Sequence, residues 1–222
     1  MTNTHFGEKK HSSENVLVCL TEENGGTYEA INLGLSLADA RSDLIGCCGA
    51  DDIWHEDRLS ETIALSKLDH GGMVAYACMQ QTISESGRPT SSQARCNSGH
   101  FLYRAEVFKA LGMYRPWRCG ADTEFWFRAN ELKLKVKTVQ RKLVMYRKHP
   151  GSLTVSKETN WGSPAREGVK VKINELSKSG FKPIFQSRSV PKIKKSSGLI
   201  LNAADTLARV FNLDSSEVNS ED

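Results

Sequence analysis

The sequence predicts an α/β protein with a mixed, mostly parallel central sheet flanked by helices. Short apolar runs of strand length alternate with stretches of helical periodicity, a pattern that favours strands covered by helices. Two acidic clusters also fall where such elements end, and open α/β sheets bind their ligands at the carboxyl ends of their strands.

Residues 15–20 read as a short strand, closed by the turn-forming Asn24-Gly25-Gly26. A helix over 28–40 follows, with Ile31, Leu35 and Ala38 on its buried side. The apolar run 44–48 reads as a central strand, and Asp51 and Asp52 come just beyond it. Leu59, Ile63 and the Leu65/Leu68 pair have the spacing of a second helix over 55–68, closed by Gly71-Gly72. A strand is predicted over 73–79. The segment 84–98, rich in Ser and Gly, reads as an exposed loop of the length that lids have. A strand over 101–103 and a helix over 105–111, ended by Gly112, come next. The helix over 122–132 has Phe125, Ala129 and Leu132 inward. Extended segments over 135–138 and 142–147 and a helical pattern over 167–176 complete the domain. The expected organisation is a disordered segment 1–14, a domain 15–180, a basic linker 181–198, an amphipathic helix 199–213 and an acidic tail 214–222.

Composition close to that of ordinary soluble proteins excludes collagen-like, disulfide-scaffold and wholly disordered classes. The six cysteines lack C-x-x-C pairs and sit mostly in apolar stretches, so they read as buried free thiols. The first residues are polar and lack the apolar core of a signal peptide, and no apolar run approaches the roughly 18 residues that span a bilayer. A cytoplasmic chain is expected. Its terminal amphipathic helix either packs on the domain or rests peripherally on the inner face of the membrane, guided by Lys192, Lys194 and Lys195. Between residues 133 and 195 seventeen Lys and Arg face only three acids, which suits either anionic partners or a solvated basic face. Without helix-turn-helix, zinc-finger or RNA-binding aromatic signatures, no nucleic-acid partner is expected. Phosphate-loop, nucleophile-elbow and H-E-x-x-H signatures are also absent from the sequence.

The sharpest local feature is Gly49-Ala50-Asp51-Asp52-Ile53-Trp54, placed where a strand runs into a loop. Its carboxylates suit a hard divalent cation that bridges protein to substrate phosphates, and equally an acidic turn or helix start. Gly120-Ala121-Asp122-Thr123-Glu124 opens a helix, where Asp122 is either a functional acid or a cap. Trp117 and Trp126 either offer faces to a sugar or pack as core aromatics.

Taken in order, these segments form a constellation. Asn24-Gly25-Gly26-Thr27-Tyr28 with Asn32-Leu33-Gly34-Leu35 leads into the Gly49 to Trp54 motif. Ser98-Gly99-His100 with Phe108-Lys109-Ala110-Leu111-Gly112, then Gly120 to Glu124, then His149 to Thr154 complete it. Over residues 15–154 this order and spacing resembles glycosyltransferase family 2, nearest its bacterial capsular and surface-polysaccharide members.

The resemblance implies a GT-A fold and a hexosyltransferase-type reaction. A sugar would pass from a nucleotide-diphosphate donor to a glycan or lipid-linked acceptor, with Mn2+ or Mg2+ present and with inversion. It implies that Asp51, Asp52 and His149 handle the metal and that Asp122 is the catalytic base. Asn24, Asn32, Trp54, Glu124, Arg147 and Trp117 are the expected donor or acceptor contacts. Gly49 stands where many relatives have the first Asp of D-x-D, Ala121 where they have an acid, and Ile31 where they have an Arg. The family's usual base-binding strands have no counterpart before residue 15, so the expectation is a truncated domain, or one whose missing strands come from a separate polypeptide. The alternative is a catalytically inactive, glycosyltransferase-like binding module.

Overall fold

The alternating apolar segments fold, in chain order, as β1 (Cys19–Thr21), α1 (Thr27–Ser36), β2 (Leu44–Gly46), β3 (Ile53–Trp54) and α2 (Arg58–Ser66). Then come β4 (Val74–Ser84), β5 (Ala94–Arg95), a 3-10 turn (Ser98–His100), β6 (Leu102–Arg104), α3 (Ala105–Leu111), α4 (Ala121–Glu131), β7 (Lys135–Lys148), α5 (Pro164–Ser179) and β8 (Ile193–Ser196). The structure is a computed structural model that describes residues 19–39, 41–90, 94–185 and, as backbone, 193–196. The expected N-terminal segment, the terminal helix and the acidic tail lie outside the described residues.

The main sheet has the order β2-β6-β4-β7-β3, with β5 paired to β4 at the side. The long β4–β7 ladder is parallel, and the pairings of β2, β3, β5 and β6 are antiparallel. Helices flank this curled mixed sheet, which is consistent with a GT-A-like fold. A small second sheet pairs β1 with β8.

Burial explains the order. Val74, Ala75, Tyr76, Ala77 and Cys78 of β4 are all nearly inaccessible, as a strand covered on both faces requires. Phe108 of α3 and Phe125 of α4 meet at 5.2 Å, and Tyr103 and Tyr114 approach Phe125 at 5.4 and 4.6 Å, forming an aromatic core under the helices.

Several expectations are revised. The first helix stops at Ser36, so Ala38 lies beyond it, and Tyr28 and Asn32 face inward alongside Leu35. In α2 the inward face is largely polar: Arg58, Thr62 and Ser66 are buried and Leu65 packs against the core, whereas Leu59, Ile63 and Leu68 are exposed. Leu132 lies outside α4 and is exposed. The two extended segments beyond residue 134 are one strand, β7, whose register slips opposite Cys78 to Gln80. The presumed lid is largely a hairpin laid back along β4: Ser84 donates its N–H to the Arg88 carbonyl, and Thr90 and Cys96 donate theirs to the carbonyls of Thr82 and Cys78. Residues expected in a free linker are docked, since Ile184 exchanges backbone hydrogen bonds with Leu111 and Met113. All six cysteines are free; Cys78, Cys96 and Cys119 are buried as expected, but Cys48 is exposed. No helix among the described residues is long and apolar enough to cross a membrane.

Candidate active site

The end of β2 delivers the chain into the Cys47 to Asp52 loop, and the pairing of β3 with β7 brings the far end of β7 against it. The Arg147 backbone N–H donates to Asp52 Oδ1 at 2.9 Å, and the Arg147 Nε donates to the Asp51 carbonyl at 2.9 Å. The same guanidinium reaches the Ser84 and Glu85 carbonyls, so it ties the acidic loop to the tip of β4. Arg147, an expected ligand contact, is engaged as a staple between backbones.

One residue beyond β7, His149 places Nε2 3.0 Å from Asp51 Oδ2. Its Nδ1 accepts the Gly151 N–H at 3.2 Å. A neutral imidazole has one donor and one acceptor, so Nε2 carries the proton and donates to Asp51. Direct coordination of a metal through Nε2 would require moving that proton and releasing Gly151. His149 therefore orients the Asp51 carboxylate.

Asp52 is more enclosed, with its side chain 5 % exposed. Burial first, and the neighbouring Asp51 charge in addition, push its carboxyl up to about 6. His100, at the end of the 3-10 turn, lies with Nε2 3.5 Å from Asp52 Oδ2. Burial and the Arg58 charge lower its proton affinity, and its Nδ1 has no hydrogen-bond partner.

The donor set fits a divalent cation of the oxygen-seeking kind. A Cβ placed on Gly49 would lie 2.8 Å from Asp51 Oδ1 and 3.0 Å from Asp52 Oδ2, so the two carboxylates converge over one glycine. Their mutual charge is what a cation would relieve. Among the described residues no three His, Cys, Asp or Glu side chains form a closed cage. Asp51 and Asp52 alone would give such a cation only part of its oxygen ligands.

The second acidic centre opens α4. Gly120 adopts φ +73°, which admits the turn into the helix, and a Cβ there would lie 2.8 Å from Val169 and 3.4 Å from Arg166 Nη1. Asp122 does not cap the helix, for the N-cap residue is Gly120. Its Oδ1 accepts from the Tyr28 hydroxyl at 2.6 Å, and its carbonyl accepts from Ser98 Oγ at 3.4 Å. A Cβ on Gly99 would be 3.6 Å from Asp122 Oδ2. Asp122 thus borders one side of the Ser98–His100 turn while Asp52 borders His100, and the charges of Asp51 and Asp122 both act on His100.

Other expected contacts are internal. Asn32, with no exposure, donates Nδ2 to the Tyr114 carbonyl and accepts the Tyr114 N–H. Glu124 is equally buried, held by Arg128 Nε and Nη2 and by Arg115. Neither can meet a ligand without opening the core, and both are structural. Asn24 caps its own turn, accepting from the Gly26 N–H at 3.0 Å. Trp54 packs between core clusters with the Arg58 guanidinium over its ring, and Trp117 packs on the core with Arg115 and Lys172 each 5.7 Å from its ring.

Tyr28 and His100 belong to the sequence motifs, and only the fold reveals their contacts with Asp122 and Asp52. Arg166 had no signal in the sequence, since it precedes the helical pattern over 167–176, and the helix in fact begins at Pro164. It braces the 153–159 loop through the Leu153 and Thr159 carbonyls and carries the exposed Trp161 on its guanidinium.

Compared with known families, the chain matches Glycosyl transferase family 2 over residues 6–129, more than half of its 222 residues. No curated protein matches it.

Proposed function

The chain belongs to glycosyl transferase family 2 and is a glycosyltransferase in that general sense; from this premise we propose that it moves a sugar from a nucleotide-diphosphate donor to a hydroxyl of a glycan or lipid-linked acceptor, with inversion, in surface-polysaccharide synthesis. What supports this chemistry is the juxtaposition of two acidic centres, Asp51-Asp52 and Asp122, at one turn, Ser98–His100. Inverting displacement needs a base behind the incoming hydroxyl and a charge-stabilised leaving group on the opposite side of the anomeric carbon. A pair of centres flanking one turn suits that division.

Asp122 is the base in this proposal. Tyr28 holds its Oδ1, which leaves Oδ2, on the Gly99 side, to take the proton from an alcohol that is otherwise a poor nucleophile. Asp51 and Asp52 would hold Mn2+ or Mg2+, with His149 as their partner. When bound, that cation supplies stabilisation of the negative charge on the departing diphosphate.

Isothermal titration with UDP-sugars in the presence and absence of Mn2+ tests donor handling. Heat that requires both the metal and an intact Asp51, and that weakens in Asp51→Ala, is the expected result. Asp122→Asn should keep the fold and donor binding and lose at least about 10²-fold in transfer, the contribution of a general base. Unchanged turnover in Asp122→Asn removes it from the mechanism. A panel silent for wild-type protein assigns the chain to the alternative, a binding module without donor.

A further inference from the structure

We propose that Tyr28 is the positioning residue of the reaction, fixing the Asp122 carboxylate so that one oxygen is committed to the protein and the other faces the acceptor. The inference deepens the proposed function and rests on it.

Tyr28 lies in the first turn of α1, 94 residues before Asp122, and its ring is almost wholly buried, tilted against Tyr114 at 5.9 Å. A buried phenol needs a partner for its hydroxyl. Here that partner is Asp122 Oδ1 at 2.6 Å, the short distance of an O–H donating to a charged oxygen. Burial and the Asp122 charge push Tyr28 far above the ordinary tyrosine range, so it stays a proton donor at any working pH.

A carboxylate at the start of a helix can rotate about its Cα–Cβ and Cβ–Cγ bonds, and a single hydrogen bond to one oxygen limits both rotations. The aromatic ring that delivers the bond is itself packed against Tyr114, so the constraint is stiff. Asp122 Oδ2 is then held on the Gly99 side, where the absence of a side chain at residue 99 leaves room beside it. Orientation of a catalytic group contributes to rate without contributing to the binding of donor, because donor and metal are handled on the other flank of the turn.

Tyr28→Phe keeps the ring and removes one oxygen, so the core around Tyr114 is preserved. Two measurements test the inference. Proton NMR of the wild-type chain should show a downfield hydroxyl resonance that disappears in both Tyr28→Phe and Asp122→Ala, which has no acceptor at that place. Its persistence in Asp122→Ala overturns the contact. In steady-state turnover of UDP-sugars, Tyr28→Phe should lower kcat roughly ten- to hundred-fold, the weight of one charge-assisted hydrogen bond, with the donor KM unchanged. An active wild type with an unaffected Tyr28→Phe, or a variant whose KM rises as much as kcat falls, overturns the positioning role. A wild-type chain inactive on every UDP-sugar overturns the functional proposal itself, which is a different outcome.

Discussion

Gly49 shows how one residue can shape a charged site by having no side chain. The chain folds the Asp51 and Asp52 carboxylates into the space that a side chain at 49 would occupy. Gly49→Ala should therefore push both carboxylates apart. The expected result is a weaker Mn2+ response in titration calorimetry with little change in melting temperature, because the displaced atoms are side-chain ends. A normal Mn2+ response would show that the two oxygens need not converge. Asp52 and its neighbour His100 also give a pH dependence with a definite sign. The folded Asp52 keeps its proton up to about pH 6, above its unfolded value, so between about pH 4 and 6 the native state binds more protons and this group lowers stability as pH rises. His100 is shifted the other way: its folded proton affinity is below the unfolded one, so it raises stability as pH increases toward 6.5. The two slopes oppose each other in the metal-free chain. Asp52→Asn removes the negative slope, and its melting temperature should climb more steeply from pH 4 to 6 than that of wild type. Parallel profiles would show that Asp52 ionises in the fold as it does in the unfolded chain.

At the scale of elements, α2 explains which parts of the fold were legible. Leu59-Ile63 and Arg58-Thr62-Ser66 both have helical spacing, so periodicity predicts the helix but leaves its orientation to the partners it meets. The polar stripe turns inward because Arg58 has buried carbonyls to satisfy: Nη2 donates to His100 O at 2.9 Å and reaches Tyr76 O at 3.5 Å, while Nη1 donates to Thr62 Oγ1 within the helix. Those carbonyls belong to segments far along the chain, and a local window cannot contain them. Glu124 differs, since its Arg128 partner lies four residues on and the i,i+4 spacing was visible. What was hidden was that the pair is buried, with Arg128 also serving the Leu111 and Met113 carbonyls. These contrasts give unequal costs. Leu59→Gln and Ile63→Gln should change unfolding free energy by no more than about 0.5 kcal/mol, as exposed positions do. Glu124→Ala should cost about 3–5 kcal/mol, because it strands a buried guanidinium. Urea denaturation decides both, and a loss of several kcal/mol at Leu59 would restore the apolar stripe to the core.

Across the whole molecule, the order of short motifs was enough to reach the family, and the loops that carry Asp51, Ser98 and Asp122 lie at the ends of elements. Long-range closure was not legible. The stretch beyond residue 180 is basic and poor in apolar residues, so composition suggested a free linker. Its backbone nonetheless returns to the domain, at Ile184 against Leu111 to Met113 and at β8 against β1. Backbone pairing of this kind depends on main-chain groups that every residue carries, and so leaves little trace in side-chain chemistry. Gly112 is the point where that closure depends on one residue. Its φ of +73° is unfavourable for other residues, and a Cβ there would lie 2.0 Å from the Ile184 carbonyl oxygen, an approach that backbone atoms cannot relieve without separating. Gly112→Ala should release the two hydrogen bonds that hold Ile184, Met113 N–H to its carbonyl at 2.7 Å and Ile184 N–H to Leu111 O at 3.0 Å. With about 1 kcal/mol for each bond and about 1–3 kcal/mol of backbone strain, the loss of stability should be roughly 3–5 kcal/mol. The same variant should become open to chymotrypsin after Phe185, one residue beyond the released contact and in the segment that the closure protects. Resistance at that site, with wild-type stability, would mean that the returning strand is held elsewhere and that Gly112 merely ends a helix.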